Sequence, residues 1–210
     1  MSNPFKSFKK KEWVLWIVSL VLVIMSNLLS GNVDVLTLSA TCVGVTSLVF
    51  AAIGNVWAPI LMIAFSIFYG IISWKFRYWG EVITYLGMTM PMAIWSTITW
   101  IKNPAKNGKE VAIQKLTKKH FLLVTVSTVI VTAVFSTISI TTSFVAAALT
   151  MLRSSYYAVG YAANDIVLIV LWVLASIKNP EYIPVVVNFA IFFFNDMYGF
   201  VSWKKREKTC

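Results

Sequence analysis

The chain has 210 residues, of which 59% are hydrophobic and 12% charged, and its formal net charge is +10. A soluble domain of this length needs about a quarter charged residues to cover its surface, so a water-soluble domain is excluded and lipid is the solvent for most of the chain. The basic residues sit in short flanks of apolar runs, which is the pattern of membrane topology and anionic-lipid contact and argues against nucleic-acid binding.

In chain order the apolar runs predict eight membrane helices, since a span needs roughly 17–25 residues. They cover 13–30, 35–54, 57–74, 80–100, 121–140, about 142–152, 156–177 and 182–203. The sixth is short and is expected to begin nearer Ser136. The first follows the basic flank "FKSFKKK". Its apolar stretch is longer than the 7–15 residues of a signal-peptide core, so it is read as a retained helix. The polar stretch "IKNPAKNGKEVAIQKLTKK" reads as a basic linker. The expected organisation is an extra N-terminal helix in 1–34, a three-helix unit in 35–102, a linker and connecting helix in 103–137, and a second three-helix unit in 138–210.

Charge tests the helix count. With eight spans, the segments that share one side hold 15 of the 18 Lys and Arg residues. The exceptions are Lys75, Arg77 and Lys178. The positive-inside rule then predicts a cell-membrane protein with both termini in the cytoplasm. Chemistry is sparse. There is no P-loop pattern, and the single His120 stands at a span edge beside Lys118 and Lys119. Cys42 and Cys210 lie in unrelated contexts, and no ligand spacing suggests a metal. The chain does not read as an enzyme, and no catalytic residue, metal or cofactor is expected.

What stands out is polar side chains at membrane depth. An Asp at the centre of a span costs about 2.5–3.5 kcal/mol on insertion scales, so such residues mark sites or interhelical contacts. The seventh span carries Asn164 and Asp165, and the eighth carries Asn188, Asn195 and Asp196. Helical spacing puts Asn188, Asn195, Tyr198 and Ser202 on one stripe, and Tyr157, Tyr161 and Asn164 on another. Tyrosine rings and amides suit a flat, hydrogen-bonding heteroaromatic ligand. Asn164, Asp165, Asn188, Asn195, Asp196, Tyr157, Tyr161 and Tyr198, with the mid-span Trp95, are the candidate substrate-binding set. Most other Trp, including Trp13, Trp57, Trp74, Trp79, Trp100 and Trp203, stand near span ends and are expected in an interfacial belt. Three spans, a connector and three more make an all-α fold of parallel repeats, as in SWEET-type carriers. A shift that sets Trp100 on Trp203 agrees with it.

The closing stretch "NDMYGFVSWKK", the proline-containing "LGMTMPMAIWSTITWIKN" and the linker "KLTKKH" resemble the PnuC-type vitamin transporters over roughly residues 35–205. The resemblance implies facilitated diffusion of an unphosphorylated vitamin or riboside, most directly nicotinamide riboside. It also implies phosphorylation trapping in the cytoplasm and a homo-oligomer, often a trimer. It places Asn195, Tyr198, Gly199 and Trp203 on the closing helix and Asn164 on the one before. The chain departs from the family pattern at "YAVGYAAN", where Tyr157 and Gly160 replace two Trp, and at Ala93 and Tyr85, where amides are expected. Thiamine, riboflavin and (deoxy)nucleosides therefore stay open as substrates. So do a proton-coupled carrier using Asp165 or Asp196 and a non-transporting membrane scaffold.

Overall fold

The computed structural model describes residues 4–29, 34–75, 77, 79–105, 110–135, 138–178 and 180–209. Lys106, Lys109, Ser136 and Cys210 lie outside these residues.

The apolar runs are helical because only a helix satisfies every backbone donor within one segment in lipid. The helices are α1 Lys10–Leu29, α2 Val35–Ala52, α3 Trp57–Lys75, α4 Trp79–Val82, α5 Met90–Lys102, α6 Lys118–Phe135, α7 Ile138–Met151, α8 Tyr157–Lys178 and α9 Ile183–Thr209. A π-helical stretch, Ile83–Thr89, joins α4 to α5 without a break, so they form one rod. Pro91 follows it and has no N–H to give the carbonyl four residues back. The turn before it is wound wider, with the Met90 N–H reaching the Tyr85 carbonyl. Among the described residues, five helices are long and apolar enough to cross a membrane: α1, α2, α3, α8 and α9.

Helix α2 packs against α1, α3 and α9. Helices α8 and α9 pair with each other, α7 lies on α8 and α5, and α6 leans on α7. Helix α1 therefore docks on the outside of α2 and α9. Apolar side chains such as Ile17 and Val21 on α1, Phe121 and Val129 on α6, and Val170 and Leu174 on α8 point outward, as a lipid-facing surface requires.

The basic segments gather at one end of the bundle. Asn55 in the α2–α3 turn donates to Ser7 Oγ, and the linker binds both the α2–α3 and α7–α8 turns. The Val111 N–H donates to the Gly54 carbonyl at 2.8 Å, and the Gln114 N–H donates to the Arg153 carbonyl at 3.1 Å. Arg206 of α9 reaches the same stretch, pairing with Glu110 at 3.0 Å and donating to the Val111 carbonyl at 2.9 Å. The linker is thus not a solvated tether: Val111 is 3% exposed and belongs to the core.

Trp100 and Trp203, expected in the interfacial belt, are corrected to the core, at 2% and 0% exposure. Each has a buried partner for its indole N–H, which a belt position does not need. Trp74 and Trp79, at 60% and 51% exposure, remain outside.

Candidate functional site

The two buried Trp make matching bonds. Trp100 at the end of α5 donates its Nε1–H to the Thr150 carbonyl at the end of α7, at 3.1 Å. Trp203 in α9 donates to the Ala51 carbonyl at the end of α2, at 2.7 Å. Their rings lie 5.6 Å apart. The carbonyls they reach belong to turns of the same design. The Gly54 N–H bonds back to Ala51 and the Asn55 N–H to Phe50; likewise the Arg153 N–H bonds back to Thr150 and the Ser154 N–H to Leu149. Gly54 and Arg153, at φ 68° and 55°, take the left-handed conformation that ends such helices. Asn55 and Ser154 then accept from the N–H two residues on and start the next helix.

Above this pair lies a cavity of about 30 Å³. Ser47 and Leu48 of α2 and Pro59 and Met62 of α3 form one wall. Ser96 and Trp100 of α5 form another, with Thr89. Thr150 of α7 and Tyr157 and Tyr161 of α8 complete it. No charged side chain lines it. The volume holds a water or two, whereas a small-molecule pocket is on the order of 300 Å³ or more. The cavity must widen to take a small-molecule ligand.

The predicted site residues divide. Tyr157 and Tyr161 line the cavity. The stripe on α9 turns elsewhere: Asn195 Nδ2 donates to Ser19 Oγ of α1 at 3.1 Å and to its own helix at the Ile191 carbonyl at 2.8 Å. The Tyr198 hydroxyl donates to Glu12 Oε1 of α1 at 2.7 Å, and Asn188 Nδ2 points at Thr41 Oγ1 of α2 at 3.5 Å. Asn164 Oδ1 accepts from Thr142 and Ser143 of α7 at 2.8 and 3.0 Å. Asp165 of α8 and Asp196 of α9 are both buried, at 4% and 2% exposure. Trp95 is 58% exposed on the outside of the bundle. A Cβ on Gly199 would meet the Tyr157 hydroxyl at 2.9 Å, so this glycine allows α9 to approach the cavity wall. Ser47, Thr89, Ser96, Trp100 and Thr150 were missed by the sequence reading. The alignment of Trp100 with Trp203 was the one signal pointing to any of them.

An all-helical membrane bundle with a small cavity between its helices is the build of a membrane carrier. The comparisons agree. A family model described as "Nicotinamide mononucleotide transporter" matches residues 34–205. The chain is 24% identical over 188 residues to the nicotinamide riboside transporter PnuC of Neisseria mucosa, covering 80% of this chain and 72% of that protein. It shares the fold of the crystal structure of the vitamin B3 transporter PnuC, with a TM-score of 0.80, 22% identity and coverage of 94% of this chain and 92% of that one. The chain belongs to the nicotinamide mononucleotide transporter family, whose members are membrane transporters rather than enzymes.

Proposed function

We propose that this protein carries nicotinamide riboside across the cell membrane by facilitated diffusion, with phosphorylation inside the cell trapping the product. The observation that carries the choice of riboside over mononucleotide is the cavity wall. It offers hydroxyls, tyrosine rings and an indole but no Lys or Arg. A phosphate monoester taken out of water needs a cationic partner or several donors. A riboside needs only ring faces and hydroxyl partners. The relative named for nicotinamide riboside supports the same substrate.

The carrier works as two halves, α2 to α5 in 35–102 and α7 to α9 in 138–210, related by rotation about the membrane normal. Residues 1–34 add an outer helix and 103–137 the connection. Eight spans put both termini in the cytoplasm. The reciprocal Trp100 and Trp203 bonds, and the two turns of one design, support this reading. So does the meeting of the lysine-rich segments at one end. Substrate touches Tyr157, Tyr161, Ser96 and Thr150, while Asn188, Asn195, Tyr198 and Asn164 hold helices together. The protein assembles as a homo-oligomer, as the resemblance implies.

The test is uptake by the purified protein in liposomes with no ion gradient. Labelled nicotinamide riboside should equilibrate without accumulating, and the mononucleotide should not compete. Accumulation only under an imposed proton gradient would favour the coupled carrier. Equal competition by the mononucleotide would refute the riboside choice.

A further inference from the structure

Toward the lysine-rich end the cavity stands on aromatic rings. Trp100 and Tyr157 line it, and Trp203 backs both, its ring 5.6 Å from Trp100 and 4.9 Å from Tyr157. Val111 of the linker packs in the same core cluster, at 3% exposure. The linker is built onto α5 at this point. Pro104 and Val111 form an antiparallel bridge, the Ala105 N–H donates to the Glu110 carbonyl at 2.7 Å, and the Ala112 N–H donates to the Asn103 carbonyl at 2.9 Å. With the Val111 N–H on the Gly54 carbonyl, residues 110–112 are fixed to the end of α5 and to the α2–α3 turn.

Two arginines grip this short strand from the other side. Arg153, in the α7–α8 turn, donates to the Ala112 carbonyl at 3.3 Å and to Gln114 Oε1 at 2.7 Å. Arg206 of α9 pairs with Glu110 at 3.0 Å and donates to the Val111 carbonyl at 2.9 Å. Its guanidinium also lies against Gly54 and 5.4 Å from the Trp203 ring. A solute leaving the cavity at this end must part α5 and the α2–α3 turn from α8 and α9, and Val111 lies in that seam under Arg206. The grip is of a kind that breaks and re-forms. The Arg206 and Glu110 side chains are 19% and 30% exposed, so water and salt compete for the pair. The strand's tie to α5, by contrast, is the chain itself and its backbone bonds.

We infer that residues 110–112 plug the passage at the lysine-rich end and that Arg206, paired with Glu110, is the latch of that plug: the cavity opens to this side when α9 releases the strand. The inference rests on the reading of the cavity as the passage. Arg206 and Glu110 touch no substrate in this scheme; they set which side the cavity opens to.

The experiment places a single thiol on the cavity wall, Ser96→Cys in the full chain with Cys42→Ser and Cys210→Ser, and applies a membrane-impermeant thiol reagent to each face of membrane vesicles in turn. The labelled fraction is read by mass on the purified chain. Glu110→Gln should speed labelling from the lysine-rich face by about threefold or more, the scale of a partly exposed ion pair, and leave the other face within about twofold. Arg206→Gln, which also loses the bond to the Val111 carbonyl, should speed it further. The exchanged pair, Glu110→Arg with Arg206→Glu, should return part of the change. Added salt should speed labelling of the parent chain at the same face and leave Glu110→Gln unaffected. Equal acceleration from both faces in the two single variants, or none in either, would overturn the inference, because the pair would then serve only the fold. The passage reading fails on a different result: nicotinamide riboside leaving the labelling of the parent chain unslowed, whatever the latch variants do.

Discussion

Asn195 and Tyr161 show the two roles a polar side chain takes inside a lipid-bound bundle. Asn195, 1% exposed, binds Ser19 of α1 and its own backbone, while Tyr161 lines the cavity. Interhelical polar bonds in membranes average about 0.6 kcal/mol each. Asn195→Leu should therefore cost about 1 kcal/mol of stability and leave riboside binding within about twofold. Tyr161→Leu should do the reverse, weakening binding by about tenfold or more with little loss of thermal stability. Thermal unfolding and a binding titration on each variant separate the two. Loss of binding in Asn195→Leu at full stability would return that amide to the site. The sequence revealed these residues because polar groups in lipid are expensive and rare. It did not reveal their partners, because Ser19 on α1 and Ser143 on α7 are ordinary serines until packing brings them within 3.1 Å or less. The small polar lining, Ser47, Ser96 and Thr150, was hidden for a related reason: Ser and Thr are cheap in a helix, where the hydroxyl bonds to its own turn, as Thr150 does to the Ala146 carbonyl, or to a neighbouring helix, as Ser47 does to the Ala58 carbonyl.

Helix starts and irregularities belong to the next scale. Asp34 precedes α2 and accepts from the Leu36 and Thr37 N–H groups at 3.4 and 3.1 Å and from the Thr37 hydroxyl at 2.6 Å. The Thr37 hydroxyl, followed by the backbone donors, holds its carboxyl below the ordinary value of 3.8. A carboxyl lowered on folding stabilises fully above its unfolded value, and that contribution is lost as pH falls through the lowered folded value. Asp34→Ala should cost about 1 kcal/mol at neutral pH, the usual worth of an N-cap. The gap from wild type should narrow below about pH 4. Asp34→Asn should keep most of the cap and remove the pH dependence. A pH-independent gap for Asp34→Ala, read by thermal unfolding in detergent, would place the effect outside the cap. The span over 80–100 was legible from its apolar run, but the π winding before Pro91 was not. Whether the freed turn kinks, frays or widens depends on what α3 and α7 leave room for, and Tyr85 finds its place only against Tyr69.

At the scale of the molecule, Trp100 ties α5 to the end of α7 and Trp203 ties α9 to the end of α2, through carbonyls that already accept from Arg153 and Gly54. Replacing either by Phe keeps the ring and removes one donor. Each variant should lose about 1 kcal/mol, and the two losses should match within a few tenths if the halves are equivalent. A large cost for one and none for the other, measured by denaturant or heat, would deny the equivalence. The helical class, the segments and the grouping of basic flanks were readable because lipid and charge impose strict rules on sequence. The buried place of the two Trp was not, because a Trp near a span end serves a belt or a core equally well until a carbonyl is seen beneath it. The central claim is that the cavity lined by α2, α3, α5, α7 and α8 is the passage. It is tested by Ser96→Cys, in a chain with Cys42→Ser and Cys210→Ser, reconstituted in liposomes and treated with a thiol reagent. Ser96 is 1% exposed and lines the cavity, so labelling reports its opening. The account predicts that nicotinamide riboside slows labelling and that the fully labelled carrier transports none. Transport at the unlabelled rate after complete labelling would contradict it.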